Sequence, residues 1–146
     1  MSHLAFNLRP SVVLPDHRPL YKITQLLLVL MLASHGKKSS AVRLHLFNWI
    51  LKDGARRTKL THASVTKSLQ FPAWGLDPAL DTALAFAKAD GLIESTSTGV
   101  KLTANGQEFC TRVLKAGLFE EDEAYLKKIG LTITEKMVGT IVERWT

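Results

Sequence analysis

Residues 92–109 read Leu-Ile-Glu-Ser-Thr-Ser-Thr-Gly-Val-Lys-Leu-Thr-Ala-Asn-Gly-Gln-Glu-Phe and follow an alanine-rich segment. Two short strand patterns, 92–95 and 100–103, flank a polar turn in which Gly99 is expected to supply the positive φ that tight turns often need. Thr103 then offers a helix N-cap. This pattern predicts the wing of a winged helix. The expected fold is mainly α: a winged helix-turn-helix domain with a short two-stranded wing, an N-terminal extended arm and C-terminal helices. In a DNA reader of this type the helix before the wing enters the major groove, where flanking phosphates favour Lys and Arg. Here that helix carries almost none.

The helix itself is well marked. Asp77-Pro78 is an N-cap followed by proline at the first helical position, and Asp90-Gly91 ends the helix. With Leu80, Ala83, Leu84 and Ala87 turned inward, its outer face becomes Asp81, Thr82, Ala85, Lys88 and Ala89. Such a small, nearly neutral face lets another backbone approach closely. It is therefore read as a protein-docking surface centred on Asp81 and Ala85, or as a face covered by the chain's own N-terminal arm.

Upstream, residues 1–19 contain three prolines and the apolar strip Val12-Val13-Leu14, which fits an extended arm. Residues 21–34 form a helix that is apolar nearly all round and needs burial on more than one side. Gly36 ends it. A second helix is expected from Ser39 or Ser40 to Lys52, with Leu44, Phe47, Ile50 and Leu51 as its apolar stripe and Arg43 and Trp49 beside it. Residues 53–70 are expected to hold one or two short helices interrupted near Thr61-His62. Pro72 and Gly75 mark a connector holding Trp74.

Downstream of the wing, residues 104–115 form a helix ending near Gly117, and the acidic run 120–123 begins another on a solvated face. The last helix is expected from Thr132, where Thr-Ile-Thr-Glu matches a capping box. Its stripe of Ile133, Met137, Ile141 and Trp145, together with Val12, Val13 and Leu14, is a candidate protein interface. The expected organisation is an arm over 1–19, a winged-helix domain over 20–117 and a helical extension over 118–146.

A chain of 146 residues with 46% hydrophobic and 22% charged residues can bury one real core. Its most apolar run, 26–33, is far short of the roughly 20 residues of a membrane span, so a cytoplasmic protein without membrane contact is expected. The lone Cys110 permits no disulfide within the chain, the five histidines show no metal-ligand spacing, and no phosphate loop or nucleophile elbow is present. His45 is expected to be a surface or half-buried histidine and not a ligand. No catalytic site, cofactor or metal is expected.

Charge is unevenly spread. Residues 1–75 hold 11 Lys/Arg against 2 acids, whereas residues 76–146 hold 8 against 11. Lys37, Lys38, Arg43, Arg56, Arg57, Lys59 and Lys67 together form a candidate nucleic-acid-binding surface, whose contacts would be non-specific and salt-sensitive. A solvated face or an acidic protein partner would use the same residues.

Five words carry a resemblance: Arg18-Pro19-Leu20-Tyr21-Lys22-Ile23, Leu44-His45-Leu46-Phe47-Asn48-Trp49, Trp74-Gly75-Leu76-Asp77-Pro78-Ala79-Leu80, Ala89-Asp90-Gly91-Leu92-Ile93 and Thr134-Glu135-Lys136-Met137-Val138. Together they resemble the small middle component of bacterial three-component ABC-ATPase systems, the Lamassu-like anti-phage group. The resemblance runs over about residues 9–146, and none of its words is a catalytic signature. It implies a non-catalytic winged-helix accessory subunit beside an SMC-like ABC ATPase and an effector, often a nuclease. The implied work is bridging and regulation, with DNA reached through the complex and a homodimer as a further candidate state. A free-standing winged-helix transcription regulator fits the same wing and stays open; its dimer seam would be the leucine-rich or the terminal helix.

Overall fold

The computed structural model describes residues 19–71, 74 and 76–143. Val12, Val13, Leu14, Pro72, Gly75 and Trp145 lie outside the described residues. Helix α1 (Pro19–Leu32) runs through the middle, and every residue from Lys22 to Leu30 is buried. A helix apolar on all sides finds no favourable face for water, so four others close around it: α2 (Ala41–Leu51), α4 (Pro78–Ala89), α5 (Ala104–Ala116) and α6 (Glu120–Ile129). Helix α3 (Gly54–Thr66) packs on α2, as does α7 (Glu135–Glu143).

Three short strands complete the arrangement: β1 (Lys38–Ser39), β2 (Ile93–Ser95) and β3 (Val100–Leu102). They pair antiparallel in the order β1-β3-β2, with Lys38 opposite Lys101 and Ile93 opposite Leu102. Val100 and Leu102 point into the core while Lys101 faces out, the period-two alternation of a half-buried strand. The result is a mainly α-helical, winged-helix-like fold. The wing strands stand within one residue of their expected ends, but the wing is one edge of a three-stranded sheet. Strand β1 is only two residues long, too short to announce itself by alternation.

Gly99 does not use the freedom expected of it. Positive φ among the described glycines belongs to Gly36, Gly91, Gly117 and Gly130. At Gly99 a Cβ would instead stand 2.1 Å from the Ser39 carbonyl oxygen and 2.7 Å from the Ser40 Cα. Its task is to let the wing turn lie against the backbone of β1.

Side-chain caps set most helix starts. Ser40, Asp53, Asp77 and Thr103 accept from the backbone N–H of Arg43, Ala55, Ala79 and Gly106. The expected break near Thr61-His62 is absent, and α3 is continuous. Thr58 and Thr61 donate to the carbonyls of Gly54 and Arg57 four residues back, while Leu60 and Ala63 anchor the inner side. Helix α2 is buried over Arg43–Asn48, on more sides than its expected stripe. The last helix starts later than expected: Thr134 accepts from Met137 N–H, and Glu135 reaches across to Ser40 instead of back to Thr132.

The C-terminal helices share the core with α1. Leu126 and Ile129 of α6 and Val138 and Ile141 of α7 are buried, and Phe119 stacks on Tyr21 at 5.0 Å. Ile133 and Ile141, expected at a protein interface, are only 1% and 2% exposed. Intramolecular packing uses them up, which corrects that expectation; Met137 beside them is half-buried. Asp122, expected on a solvated face with its acidic neighbours, is also buried, accepting from Gln25 Nε2 at 3.0 Å. Burial raises its pKa against the opposing pull of Gln25 and Arg57.

Asp77 ties three helices together. Its Oδ1 caps α4 at Ala79 N–H, while Oδ2 accepts from Asn48 Nδ2 at 3.2 Å and pairs with Lys52 at 3.1 Å and the buried Lys22 at 3.2 Å. Burial alone would raise this carboxyl, but the hydrogen bonds from Ala79, Lys52, Asn48 and Lys22 outweigh it and hold the pKa well below the usual range. A folded-state pKa depressed below the unfolded value of about 3.9 contributes stability above that pH, lost as pH falls through the folded value. Asp77→Asn keeps the cap but removes the charge. It is expected to cost about 2 kcal/mol at pH 7 by urea unfolding, with the gap to wild type narrowing from pH 5 towards pH 2; a pH-independent gap would refute the linkage.

Candidate nucleic-acid and protein-docking faces

The seven basic residues singled out in the sequence do not share one surface. Arg43 is 3% exposed and belongs to the core. Its guanidinium donates to the carbonyls of Ile133 and Ala33 and to the hydroxyls of Ser34 and Ser39, and lies over the Phe47 ring. It is unavailable to phosphate, because folding satisfies its donors inside the protein.

Arg56 and Arg57 are likewise committed. Arg56 stacks over Trp49 at 4.1 Å, donates to the Trp49 carbonyl and pairs with Asp53. Arg57 donates to the Leu51 carbonyl at 2.7 Å and pairs with Glu121 at 2.8 Å and with buried Asp122 at 3.5 Å. It thereby clamps α6 to α3, and Tyr125 of α6 donates back to the Arg57 carbonyl. Lys59 lies over Phe71 at 5.5 Å.

The remaining cations stand apart. Lys37, Lys38 and Lys67 make no ion pair among the described residues, and neither do Lys101 and Lys136, which the sequence reading passed over. Lys38 and Lys101 sit directly opposite each other across β1 and β3, both exposed. Like charges so placed destabilise a strand pair by about 0.2–1 kcal/mol. Lys37 and Lys67 are the only non-glycine residues among those described with positive φ, at 56° and 59°. Each costs roughly 1 kcal/mol relative to a residue without a Cβ.

Two adjoining hollows lie beside these lysines. The larger, about 490 Å³, runs between the end of α3 and α7 and includes Lys67, Ser68, Thr132, Thr134 and Lys136. The smaller, about 120 Å³, reaches the wing at Lys38 and Thr98, and Thr134 lines both.

Helix α4 has a different character. Asp81, Thr82, Ala85, Lys88 and Ala89 face outward as expected, but so does Phe86, 51% exposed, with Leu76 ahead of the helix at 65%. Hydrophobicity alone assigns a phenylalanine to the core, which is why this residue was missed. His45, expected to be exposed or half-buried, is buried beneath the start of the helix. Its Nδ1 accepts from Asp77 N–H at 3.1 Å, so Nε2 carries the proton and donates to Asp81 Oδ1 at 3.2 Å. Asp81 is thus engaged in holding α4 on α2.

No family model, curated protein or solved structure matches this chain.

The geometry therefore has to speak for itself. Among the described residues no three His, Cys, Asp or Glu side chains gather as a metal site would need. Cys110 is buried, and burial pushes its thiol up to about 12, far from a reactive thiolate at neutral pH. No helix among the described residues is long and apolar enough to cross a membrane. Among the described residues the surface includes an apolar stretch at Leu76 and Phe86 on and before α4 and a cationic one along β1 and β3.

Proposed function

We propose that this chain is a non-catalytic accessory subunit of a bacterial anti-phage complex, bridging or regulating an SMC-like ABC ATPase and its effector and contacting DNA non-specifically. The observation that carries the reading is the outer face of α4. In a winged-helix DNA reader this helix lies in the major groove and needs cations and hydrogen-bonding side chains. Here Phe86, Ala85 and Ala89 are exposed and Lys88 is the lone cation of the helix. An exposed aromatic ring among small residues has the chemistry of a protein-interface anchor. The resemblance of the five words to the middle components of ABC-ATPase defence systems favours the same kind of partner.

The homodimeric regulator loses support on two counts. The leucine-rich α1 is enclosed by other helices, and Ile133 and Ile141 of the terminal stripe are covered, so one candidate seam is spent within one chain and the other is reduced.

Co-expression with the products of neighbouring genes, followed by affinity capture, tests the proposal. The wild-type chain is expected to bring down a coiled-coil ATPase, and Phe86→Glu to reduce capture at least tenfold. Because Phe86 is half-exposed, the variant should unfold within about 0.5 kcal/mol of wild type. A chain that captures no ATPase, or a Phe86→Glu variant that captures as well as wild type, would sink it.

A further inference from the structure

We propose that the wing edge and the adjoining groove form a phosphodiester-binding strip, in which Lys37, Lys38, Lys101, Lys67 and Lys136 follow the backbone of duplex DNA. The inference rests on the proposed function only in taking DNA as the polyanion.

Two separate features of the folded chain work against its own stability at these positions. Lys38 and Lys101 oppose one another across the sheet, and Lys37 and Lys67 occupy left-handed backbone that glycine would adopt without strain. None of the five lysines is compensated by an ion pair among the described residues. An anion laid across them turns the mutual repulsion into attraction. Thr134 lines both hollows, one bearing Lys38 and the other Lys67 and Lys136, so the wing lysines and the groove lysines adjoin.

The acids nearby, Glu135 in the smaller hollow and Glu94 beside Lys101, reduce this charge, but two carboxylates do not cancel five lysines. Glu135 accepts from the Ser40 backbone N–H and hydroxyl, and Glu94 stands opposite Lys101 on the far strand without pairing to it. The wing tip adds the exposed Ser97 and Thr98, hydroxyl donors of the kind that phosphate oxygens accept from. Among the described residues the two hollows are lined by no Trp or Tyr, anchors that a protein interface concentrates, and their one arginine, Arg43, spends its donors inside the fold. Its chemistry is point charges and hydroxyls, which grip a backbone without reading bases.

The test uses the full chain alone and a fluorescein-labelled 30-base-pair DNA duplex in two unrelated sequences, followed by anisotropy between 50 and 200 mM salt. Both duplexes should bind equally. Lys38→Ala/Lys101→Ala should flatten the plot of log affinity against log salt by about 1.8, and Lys67→Gly/Lys136→Ala by a similar amount. Lys88→Ala on α4 should change nothing. Relief of repulsion and of left-handed strain should leave both double variants melting at or above wild type, so lost binding cannot be mistaken for unfolding. Absence of binding at 50 mM salt, an unchanged slope in the double variants, or loss confined to Lys88→Ala would overturn the proposal, as would equal competition by poly-L-glutamate. Because no ATPase is present, this result and the capture experiment can fail independently.

Discussion

Arg43→Ala is expected to lower the unfolding free energy by about 4 kcal/mol, more than a quarter of what a domain normally has. The reason is the number of groups that depend on one guanidinium. Arg43 donates to Ala33 and Ser34 just past the end of α1, to Ser39 of β1 and to Ile133 just before α7. Removing it leaves at least two buried carbonyls without a donor and opens a void beside Phe47. Burial lowers its pKa to about 10, with Glu135 pulling the other way, so the side chain stays charged at neutral pH. Lysine cannot replace it, because a single ammonium cannot span acceptors that a planar fork reaches together. Arg43→Lys should therefore recover less than half of the loss, and Arg43→Met should restore packing only. Urea unfolding of the three variants checks this; a loss under 1 kcal/mol for Arg43→Ala would show that the fork is dispensable.

Gly99→Ala should destabilise by about 3 kcal/mol and separate β1 from β3. The added methyl would enter the backbone of Ser39 and Ser40, and backbone at a paired strand cannot swing aside as a long side chain can. Gly99→Asn distinguishes this cause from the turn requirement expected of the sequence. Asparagine tolerates left-handed backbone, so it would be accepted if φ were the constraint. With close approach as the constraint, both substitutions fail alike. Hydrogen exchange should show protection lost at the β1–β3 pairing while α1 amides stay protected, and wild-type-like protection in Gly99→Asn would reject the explanation.

Much of the fold is legible in the residues. Asp77-Pro78, Thr103, Ser40 and Gly117 carry local chemistry that fixes helix ends whatever surrounds them, and the structure places each at its helix terminus. The unbroken apolar run 26–32 in α1 likewise demands enclosure. Partnering is where the pattern runs out. Arg43, Arg56 and Arg57 look alike in a charge count, yet one is core, one stacks on Trp49 and one clamps α6, because their acceptors come from residues distant in the chain. Asp122 and His45 went the same way, exposed by type and buried by contact. Lys101 was within reach: inward Val100 and Leu102 force their neighbour outward. Its pairing with Lys38 was not, since nothing local pairs a two-residue strand with a hairpin some sixty residues later.

The enclosure of α1 also sets an order of events during synthesis. Gln25 meets Asp122 across 97 residues of chain, so the helix made early waits for a partner made late. At about 5–20 residues per second, that interval is roughly 5–20 s on the ribosome. Throughout it, α2, α4 and α5 can already lie against this segment, but the side that α6 covers stays open. The nascent chain thus presents a long-lived holding site for chaperones, and loss of α6 would extend that dependence indefinitely.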